Sequence, residues 1–377
     1  MSELQHIRLD MNKSILEDAT NAHNRWHPDI EPITWAEPGE TIVLDVRDGF
    51  DVQVFPDSTS ESVASFDFDS NHPLTGPIGV RGAEPGDLLV IDVVSVDALE
   101  FGSTLFIEGF GVLGDIFVEP HLVRWFMKGG YATSPDLPGV KLRGHAFLGV
   151  IGVAPSREML DSATRREAGV VDEGGGALLP TAHSAAPAAE PIASEGLRTI
   201  PPRENGGNMD CLQMGPGARI FIPVQVPGAK LSVGDTHYAQ GDGEACATAI
   251  ECASVATLRL DLIKKEDVEF MPHTPMYEYT QPSATEPRKY VCTTGLPVRE
   301  DGSLAELDIR QAARNAVSEM IDYLVATRGY TPGQAYALIC VAADMRLTEA
   351  VDFPSPMVSV ALPLDVSYGP GASSLRA

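Results

Sequence analysis

The sequence has few basic residues and no long hydrophobic run. It contains 27 Lys and Arg against 53 Asp and Glu, which gives a formal net charge of −26. Long-range repulsion would oppose binding to a nucleic acid or an anionic membrane, so we expect neither as a partner. The most apolar stretch, 146–154, is about half the ~20 residues of a membrane-spanning helix, and the N-terminus has no secretory signal pattern. We therefore expect a soluble protein.

The chain also lacks a disulfide framework. Its cysteines are an odd number, and none forms a C-x-x-C pair. This usage favours reduced thiols and a cytoplasmic location. The five cysteines are Cys211, Cys246, Cys252, Cys292 and Cys340.

Glycine and proline, in contrast, are abundant, with 35 Gly and 29 Pro. They divide the chain into short segments, which favours strands and turns over long helices. Pro38-Gly39 precedes the β-rich run 41–46, and Pro85-Gly86 precedes the similar run 88–93, as in type II turns that lead into strands. We predict a mainly β fold with β-sandwich or jelly-roll and β-barrel-like portions.

Two helices are predicted near the C-terminus. Ser303 and Glu306 have the spacing of a capping box, and apolar residues follow at spacings of three and four through Leu324. Thr331 with Pro332 predicts a second helix through about residue 343. Strand character returns over 357–366. These elements predict a small α/β portion that carries an αα unit.

Composition suggests four regions. These are a β-rich domain over 1–160, a Gly/Ala/Pro-rich excursion over 161–200, a central β-region over 201–300, and the αα unit with returning strands over 301–377. The stretch 167–196 has few large apolar residues and is predicted to be mobile. A lid or an oligomer arm is the alternative interpretation.

The side chains that could bind a metal or take part in catalysis are concentrated in the central region. Asp235 and His237 are two positions apart, so both side chains would leave the same face of an extended strand. Asp242 and Glu244 repeat this spacing after a turn at Gly241. Carboxylates and an imidazole could bind Zn²⁺ or a similar cation. The alternative is an ordinary hairpin turn with a hydrogen-bonded histidine.

Several strings resemble the acetamidase/formamidase family, and the resemblance extends from about His23 to Val366. It implies a hydrolase that releases ammonia from small neutral amides such as formamide or acetamide, built from β-domains with a small α/β portion and assembled as a homo-oligomer. Ser355 departs from the Asn that often follows Val-Asp-x-Pro in the family. The matching strings are His23-Asn24-Arg25-Trp26, Val46-Arg47-Asp48-Gly49, the run 73–78, the run 149–155, Gly206-Gly207-Asn208-Met209-Asp210, the run 226–237, Gln240-Gly241-Asp242-Gly243-Glu244 with Ile250-Glu251, and Val351-Asp352-Phe353-Pro354.

The reaction assigns roles to these residues. A divalent cation, zinc in the first place and calcium in the second, would activate water and polarise the carbonyl. Glu244 or Glu251 would carry the proton to the departing ammonia, and Lys230 would hold the developing oxyanion. The predicted metal ligands are Asp235, His237, Asp210 and Asp242, and the predicted pocket residues are His23, Asn208 and Gln240.

Two other mechanisms remain open from the sequence. Cys246 could act as the nucleophile of a thiol-dependent amidase, although its apolar neighbours indicate a buried strand. A cupin-like metal-binding β-sandwich without amidase activity is the other possibility, but the His-x-His pair is missing. His72 and His145 are isolated in the sequence, and His145, next to an apolar run, is expected to be a hydrogen-bonded core residue.

Overall fold

A computed structural model describes residues 4–280, 288–351 and 354–366 of the protein. Strands contain 33% of the described residues and helices 17%, and a helical pair lies near the C-terminus. The predicted mainly β class is therefore confirmed. No helix in the described ranges combines the length and apolarity needed to cross a bilayer. Asp352 and Phe353 of the last matching string, and residues 367–377 of the last predicted region, lie outside the described residues.

The secondary structure consists of many short elements. The strands are β1 Gln5–Ile7, β2 Ala22–His23, β3 Thr34–Ala36, β4 Thr41–Val46, β5 Leu74–Val80, β6 Leu88–Phe106, β7 His121–Lys128, β8 Tyr131–Thr133, β9 Lys141–Arg143, β10 Phe147–Val153, β11 Gly206–Asn208, β12 Arg219–Pro223, β13 Leu231–His237, β14 Glu251–Ile263, β15 Met276–Glu278, β16 Tyr290–Gly295, β17 Asp344–Glu349 and β18 Met357–Pro363. The helices are α1 Arg157–Asp172, α2 Ile192–Glu195, α3 Ile309–Arg328 and α4 Pro332–Ala342, with 3₁₀ turns at Ser62–Ser65, Leu212–Met214 and Leu364–Val366.

Most described strands join one large, mainly antiparallel sheet, whose main path is β11-β10-β13-β14-β6-β7-β8-β9. The long strand β14 is its centre, because β4 and β6 both pair with it. Each of these two strands is entered through a predicted Pro-Gly turn, in which Gly39 (φ 85°) and Gly86 (φ 97°) adopt the left-handed conformation. The turn prediction is therefore correct, and it explains how two similar sequence segments flank the same strand.

The core follows from strand alternation. In β4, Ile42, Leu44 and Val46 point inward and are fully buried, while the residues between them are half-buried. Burying each such side chain contributes roughly 1.5–3 kcal/mol. These residues belong to an apolar cluster that extends through β6, β12, β13 and β14, and it gives the strands that carry the site a rigid base.

A second sheet, β16-β18-β17, packs against α3 near the C-terminus. The predicted start of the first helix at Ser303 is wrong, because α3 begins at Ile309 and the Asp308 side chain accepts the N–H of Gln311. Leu304 instead forms a β-bridge with Val298. The second helix begins as predicted, with a reciprocal capping box between Thr331 and Gln334.

The Gly/Ala/Pro-rich segment makes defined contacts. Its beginning lies in α1, which crosses the predicted boundary at residue 160. Buried Asn24 donates to the carbonyl of Ser184 (2.7 Å), and buried Arg25 donates to the carbonyl of His183 (2.8 Å). Main-chain acceptors thus tie the segment to the β-region, and a composition analysis based on large apolar side chains does not detect such contacts.

Candidate active site

Four carboxyl groups and one imidazole from separate segments converge beside the large sheet. Asp235 and His237 come from β13, and Glu251 is the first residue of β14. Asp210 follows β11, and Glu244 lies in the connection between β13 and β14. Two groups of potential ligand atoms share His237, each with its atoms within 4.8 Å of one another. We call Asp210, Asp235, His237, Glu244 and Glu251 the acid–histidine cluster.

Strand pairing brings the centre of this cluster together. His237 lies directly opposite Glu251 in the antiparallel pair of β13 and β14, where side chains of facing residues meet. Asp235 also turns toward His237, but its φ of 56° is left-handed. Ideal strand alternation therefore does not explain why the two side chains meet, since a local distortion of β13 directs Asp235 into the cluster.

The orientation of the His237 ring is determined by Gln240. The side chain of Gln240 donates to the carbonyl of Asp210 (2.8 Å), which leaves its own oxygen to accept from His237 Nδ1 at 2.7 Å. The neutral ring then carries its proton on Nδ1 and presents the lone pair of Nε2 to the carboxylates. Gln240, predicted as a pocket residue, thus contacts the ring that occupies the centre of the cluster.

His237 Nε2 faces three carboxylate oxygens. The distances are 3.1 Å to Glu251 Oε2, 3.3 Å to Asp235 Oδ2 and 3.8 Å to Asp210 Oδ1. Within the described ranges, Nε2 and the oxygens from Glu251 and Asp210 are buried and have no hydrogen-bond partner. Acceptor atoms that converge in this way repel one another unless a proton or a cation lies between them.

Burial gives the cluster unusual proton affinities. Burial and the neighbouring acid groups raise the pKa of Asp210 and Glu244 well above the ordinary range, and burial raises the pKa of Glu251 to about 8. Burial opposes the charged form of Asp235 as well, but the charges of His72 and His237 bring its pKa below the usual value. The pKa of His237 is raised despite burial, because Glu251 and Asp235 favour the imidazolium. The cluster therefore holds protons readily, and a bound cation could take their place.

The ligand set is suitable for a divalent transition metal. Ligands about 2.1 Å from a tetrahedral zinc ion lie about 3.4 Å from one another, and the distances from His237 Nε2 to the three carboxylate oxygens bracket this value. An imidazole nitrogen among carboxylates suits zinc better than calcium, which takes oxygen ligands. The unpartnered buried atoms thus have the chemistry of a metal site.

Comparison with known proteins decides the family. The profile of the Acetamidase/Formamidase family matches residues 8–368. The chain belongs to this family. A formamidase of Methylophilus methylotrophus is 35% identical over 381 residues, which cover 96% of this chain and 93% of the relative. An acetamidase of Mycolicibacterium smegmatis is 33% identical, with 88% of each chain covered.

Solved structures agree with this acetamidase/formamidase assignment. The gamma lactamase from Delftia acidovorans has a TM-score of 0.92 at 34% identity, covering 98% of this chain and 95% of that chain. The acetamidase from Bacillus halodurans has a TM-score of 0.55 at 24% identity, covering 91% and 95%, and its similarity concerns the fold alone.

Two glycines of this acetamidase/formamidase chain form the walls of the cluster. A Cβ atom at Gly49 would lie 2.0 Å from Asp235 Oδ1, and a Cβ at Gly149 would lie 2.6 Å from Asp210 Oδ1. Neither glycine has a positive φ, so the requirement is for space and not for backbone freedom. Gly49 lies in the string 46–49 on which the family resemblance partly depends.

Not every predicted site residue lies in the cluster. The carboxylate of Asp242 accepts from Gln213 (3.1 Å), and the charged groups that act on it are Asp344 and Arg346, so its predicted role as a ligand finds no support. His23 is buried and bonds to the carbonyl of Arg25 and to the hydroxyl of Ser232.

The remaining predicted pocket residue is Asn208, which lies two positions before Asp210. Its side-chain oxygen is buried and has no hydrogen-bond partner in the described part of the chain. Such an acceptor could take a hydrogen bond from an N–H group of a ligand. The pocket role of Asn208 stays a prediction.

Lys230 is occupied elsewhere, so the expected result of its replacement is structural. Its ammonium donates to the carbonyls of Pro28 (2.7 Å) and Ile30 (2.9 Å). We expect Lys230→Met to lower the free energy of unfolding by about 2 kcal/mol or more, while the folded enzyme keeps most of its kcat/KM. Thermal melts and amide hydrolysis assays check this, with exposed Lys128→Met as the control. A stable variant without activity would contradict the structural role.

Two residues near the cluster, His72 and Asp48, could not be identified from local sequence patterns alone. His72 Nε2 lies 3.7 Å from Asp235 Oδ2, and burial lowers the pKa of this histidine. Burial raises the pKa of Asp48 to about 6, and the charge of Asp235 adds to this effect. His72 is next to the matching string 73–78 and Asp48 lies within the string 46–49, so the family strings are the only sequence features that indicate them.

The structure gives the thiol mechanism no support. Cys246 is fully buried, and its thiol packs in the core cluster that includes the C-terminal helices. Its backbone N–H donates to Cys340 Sγ at 3.1 Å. A nucleophile must meet its substrate, and this sulfur has no exposed surface. The expectation for His145 is wrong, because this histidine is exposed.

Proposed function

We propose that this protein hydrolyses small linear amides, such as formamide or acetamide, to the carboxylate and ammonia at the acid–histidine cluster. Family membership and the relatives named formamidase and acetamidase support the reaction. The observation that carries the site assignment is His237 Nε2, which faces three carboxylate oxygens without forming a hydrogen bond. The net charge of −26 does not repel a neutral substrate.

A divalent cation, zinc in preference to calcium, would be held by His237, Asp235, Glu251 and Asp210. When bound, it lowers the pKa of water toward ~7 and polarises the carbonyl. The protein's own contribution is to fix the His237 tautomer through Gln240 and to exclude bulk water by burial. Glu251, predicted from sequence as a proton carrier, is better suited to be a ligand because it lies directly opposite His237.

Glu244 is the better candidate for proton transfer. Burial raises its pKa well above the usual range, which favours the protonated form that a general acid needs. It donates this proton to the amide nitrogen as the C–N bond breaks, and the proton released by the attacking water restores it. The carboxylic acid formed then loses its proton to ammonia, so the products are the carboxylate and ammonium and the protons balance.

The corresponding experiment is metal removal. Ammonia release from formamide and acetamide is measured with the purified protein, after dialysis against a chelator, and after addition of Zn²⁺ or Ca²⁺. We expect activity to be lost on chelation and restored by Zn²⁺, while iodoacetamide has no effect. Ammonia release that persists when mass spectrometry finds no metal would disprove the metal-dependent route.

Cyclic amides are a second candidate substrate class. The specific observation is the TM-score of 0.92 to the gamma lactamase, against 0.55 for an acetamidase structure. A five-membered lactam releases no ammonia on ring opening, so its amino acid product is measured directly. Ring opening with a kcat/KM above that for formamide would make lactams the preferred substrates.

A further inference from the structure

In amide hydrolysis the carbonyl oxygen gains negative charge in the transition state, and a hydrogen-bond donor beside a bound cation would stabilise this oxygen further. Lys230, the predicted donor, is bound to two backbone carbonyls. His237 donates from Nδ1 to Gln240, and its Nε2 faces the carboxylates. The donor predicted from sequence is therefore not available, and the histidine of the cluster is already engaged.

His72 lies next to the cluster with an unused ring. Its Nε2 is 3.7 Å from Asp235 Oδ2, which is beyond hydrogen-bond distance, and the residue is only 9% exposed. Among the described residues, no hydrogen bond reaches either ring nitrogen, and Nδ1 is completely enclosed. Because Nδ1 is enclosed, only Nε2 could meet a ligand beside the cluster. A polar ring atom of a buried residue usually has a hydrogen-bond partner, so the open position at Nε2 points to a bound ligand.

The position of His72 is determined by the same sheet that carries Asp235. Its backbone N–H donates to the hydroxyl of buried Thr199. Two residues later Leu74 begins β5, and Leu74 pairs with Gly234, the neighbour of Asp235. The backbone at His72 is therefore fixed relative to Asp235, which positions the ring beside the cluster.

Trp26 is the competing donor, because its Nε1 also lacks a partner in the described part of the chain. Its ring, however, packs in an apolar cluster with Leu74 and Val150. His72, in contrast, lies beside the acid groups, with its Nε2 3.7 Å from Asp235 Oδ2. The surroundings of the two rings thus favour His72.

We propose that His72 is a catalytic residue that donates a ring N–H hydrogen bond to the carbonyl oxygen of the amide as this oxygen becomes negative. This inference rests on the proposed amidase function. His72 adds a donor for the carbonyl oxygen, whereas Glu244 serves the amide nitrogen, and His72 makes this contact mainly in the transition state.

The test compares His72→Leu, which removes the donor, with His72→Gln, which keeps an N–H group. For His72→Leu we expect kcat and kcat/KM for formamide to fall together by about 10²–10³-fold, with KM, bound metal and melting temperature close to wild type. His72→Gln should recover a substantial part of this loss. The matched control is His121→Leu, a half-buried histidine that also has a partnerless nitrogen but stacks on Phe106, and it should remain active.

A second measurement does not depend on turnover. Methylphosphonamidate carries a tetrahedral phosphoryl oxygen in place of the oxyanion, and its binding is measured by calorimetry. Its affinity should fall in His72→Leu by about the same factor as kcat/KM, as expected for a transition-state mimic. Two results would overturn the assignment. One is an unchanged affinity for this compound in His72→Leu. The other is an equal loss of affinity in His72→Leu and His72→Gln that is accompanied by loss of the metal.

The two proposals fail differently. If the wild-type protein hydrolyses no amide, the proposed function is wrong and the role of His72 falls with it. If the wild type is active and His72→Leu is equally active, only the role of His72 is wrong.

Discussion

Replacing His237 by alanine is expected to remove the bound metal and to lower kcat/KM for formamide by about 10³-fold or more. This estimate takes several kcal/mol for the stabilisation of charge by a metal and 1.36 kcal/mol for each factor of ten. The physical reason is that His237 supplies the one nitrogen of the proposed ligand set, and Asp210, Asp235 and Glu251 all lie within 3.8 Å of its Nε2. Metal content by mass spectrometry and ammonia release are the two measurements.

A graded variant separates this effect from misfolding. Gln240→Leu keeps the imidazole but removes the acceptor on Nδ1, and we expect it to weaken metal affinity by about 10- to 100-fold. The control is His145→Ala, because His145 is exposed and should leave both quantities unchanged. If His237→Ala retained stoichiometric metal and normal activity, the cluster could not be the metal site.

Adding a single methyl group at Gly49 should have an effect almost as large. The new Cβ would lie 2.0 Å from Asp235 Oδ1 and 3.4 Å from Glu251 Oε2. The first distance cannot exist, so the carboxylate of Asp235 must move. Since displacement of a reacting group by about 1 Å costs on the order of 10²-fold in rate, we expect Gly49→Ala to lower kcat/KM by at least this factor and to weaken metal binding.

The matched control is the same substitution at Gly169. This glycine lies in α1, has an ordinary φ, and has nothing within 4 Å of the added Cβ. Gly169→Ala should leave kcat/KM unchanged and stabilise the protein by about 0.5–1 kcal/mol. If Gly49→Ala had the same metal content and kinetics as wild type, the cluster would tolerate movement of Asp235, contrary to this expectation.

Local sequence patterns predicted elements well where one physical rule governs them. The Pro-Gly turns before β4 and β6 were correct because proline sets φ and glycine permits the left-handed position that follows. The start of α4 at Thr331 was also correct, because the threonine hydroxyl caps the helix and proline suits its first turn. Ser303 was wrong because a capping pattern is short and Asp308, a few residues later, supplies the side-chain acceptor that α3 uses.

The candidate site was predicted only in part. The short run around β13 brought Asp235, His237 and Glu244 to attention because they lie close in sequence, and the structure places these three in one cluster. Asp242 lies in the same run but turns to Gln213. His72 was missed because its proximity to Asp235 depends on the pairing of β5 with β13, which are distant in sequence.

The sequence by itself determined the strand-rich class, the family and the short stretch that holds most of the reactive side chains. These depend on turn chemistry, side-chain periodicity and neighbouring residues, which are local properties. Only the tertiary structure decided which of the 53 acids face His237, that Lys230 is occupied by carbonyls, and that His72 has a free ring. The reason is that distances between remote segments, burial and the resulting pKa shifts arise only when β5, β11, β13 and β14 assemble.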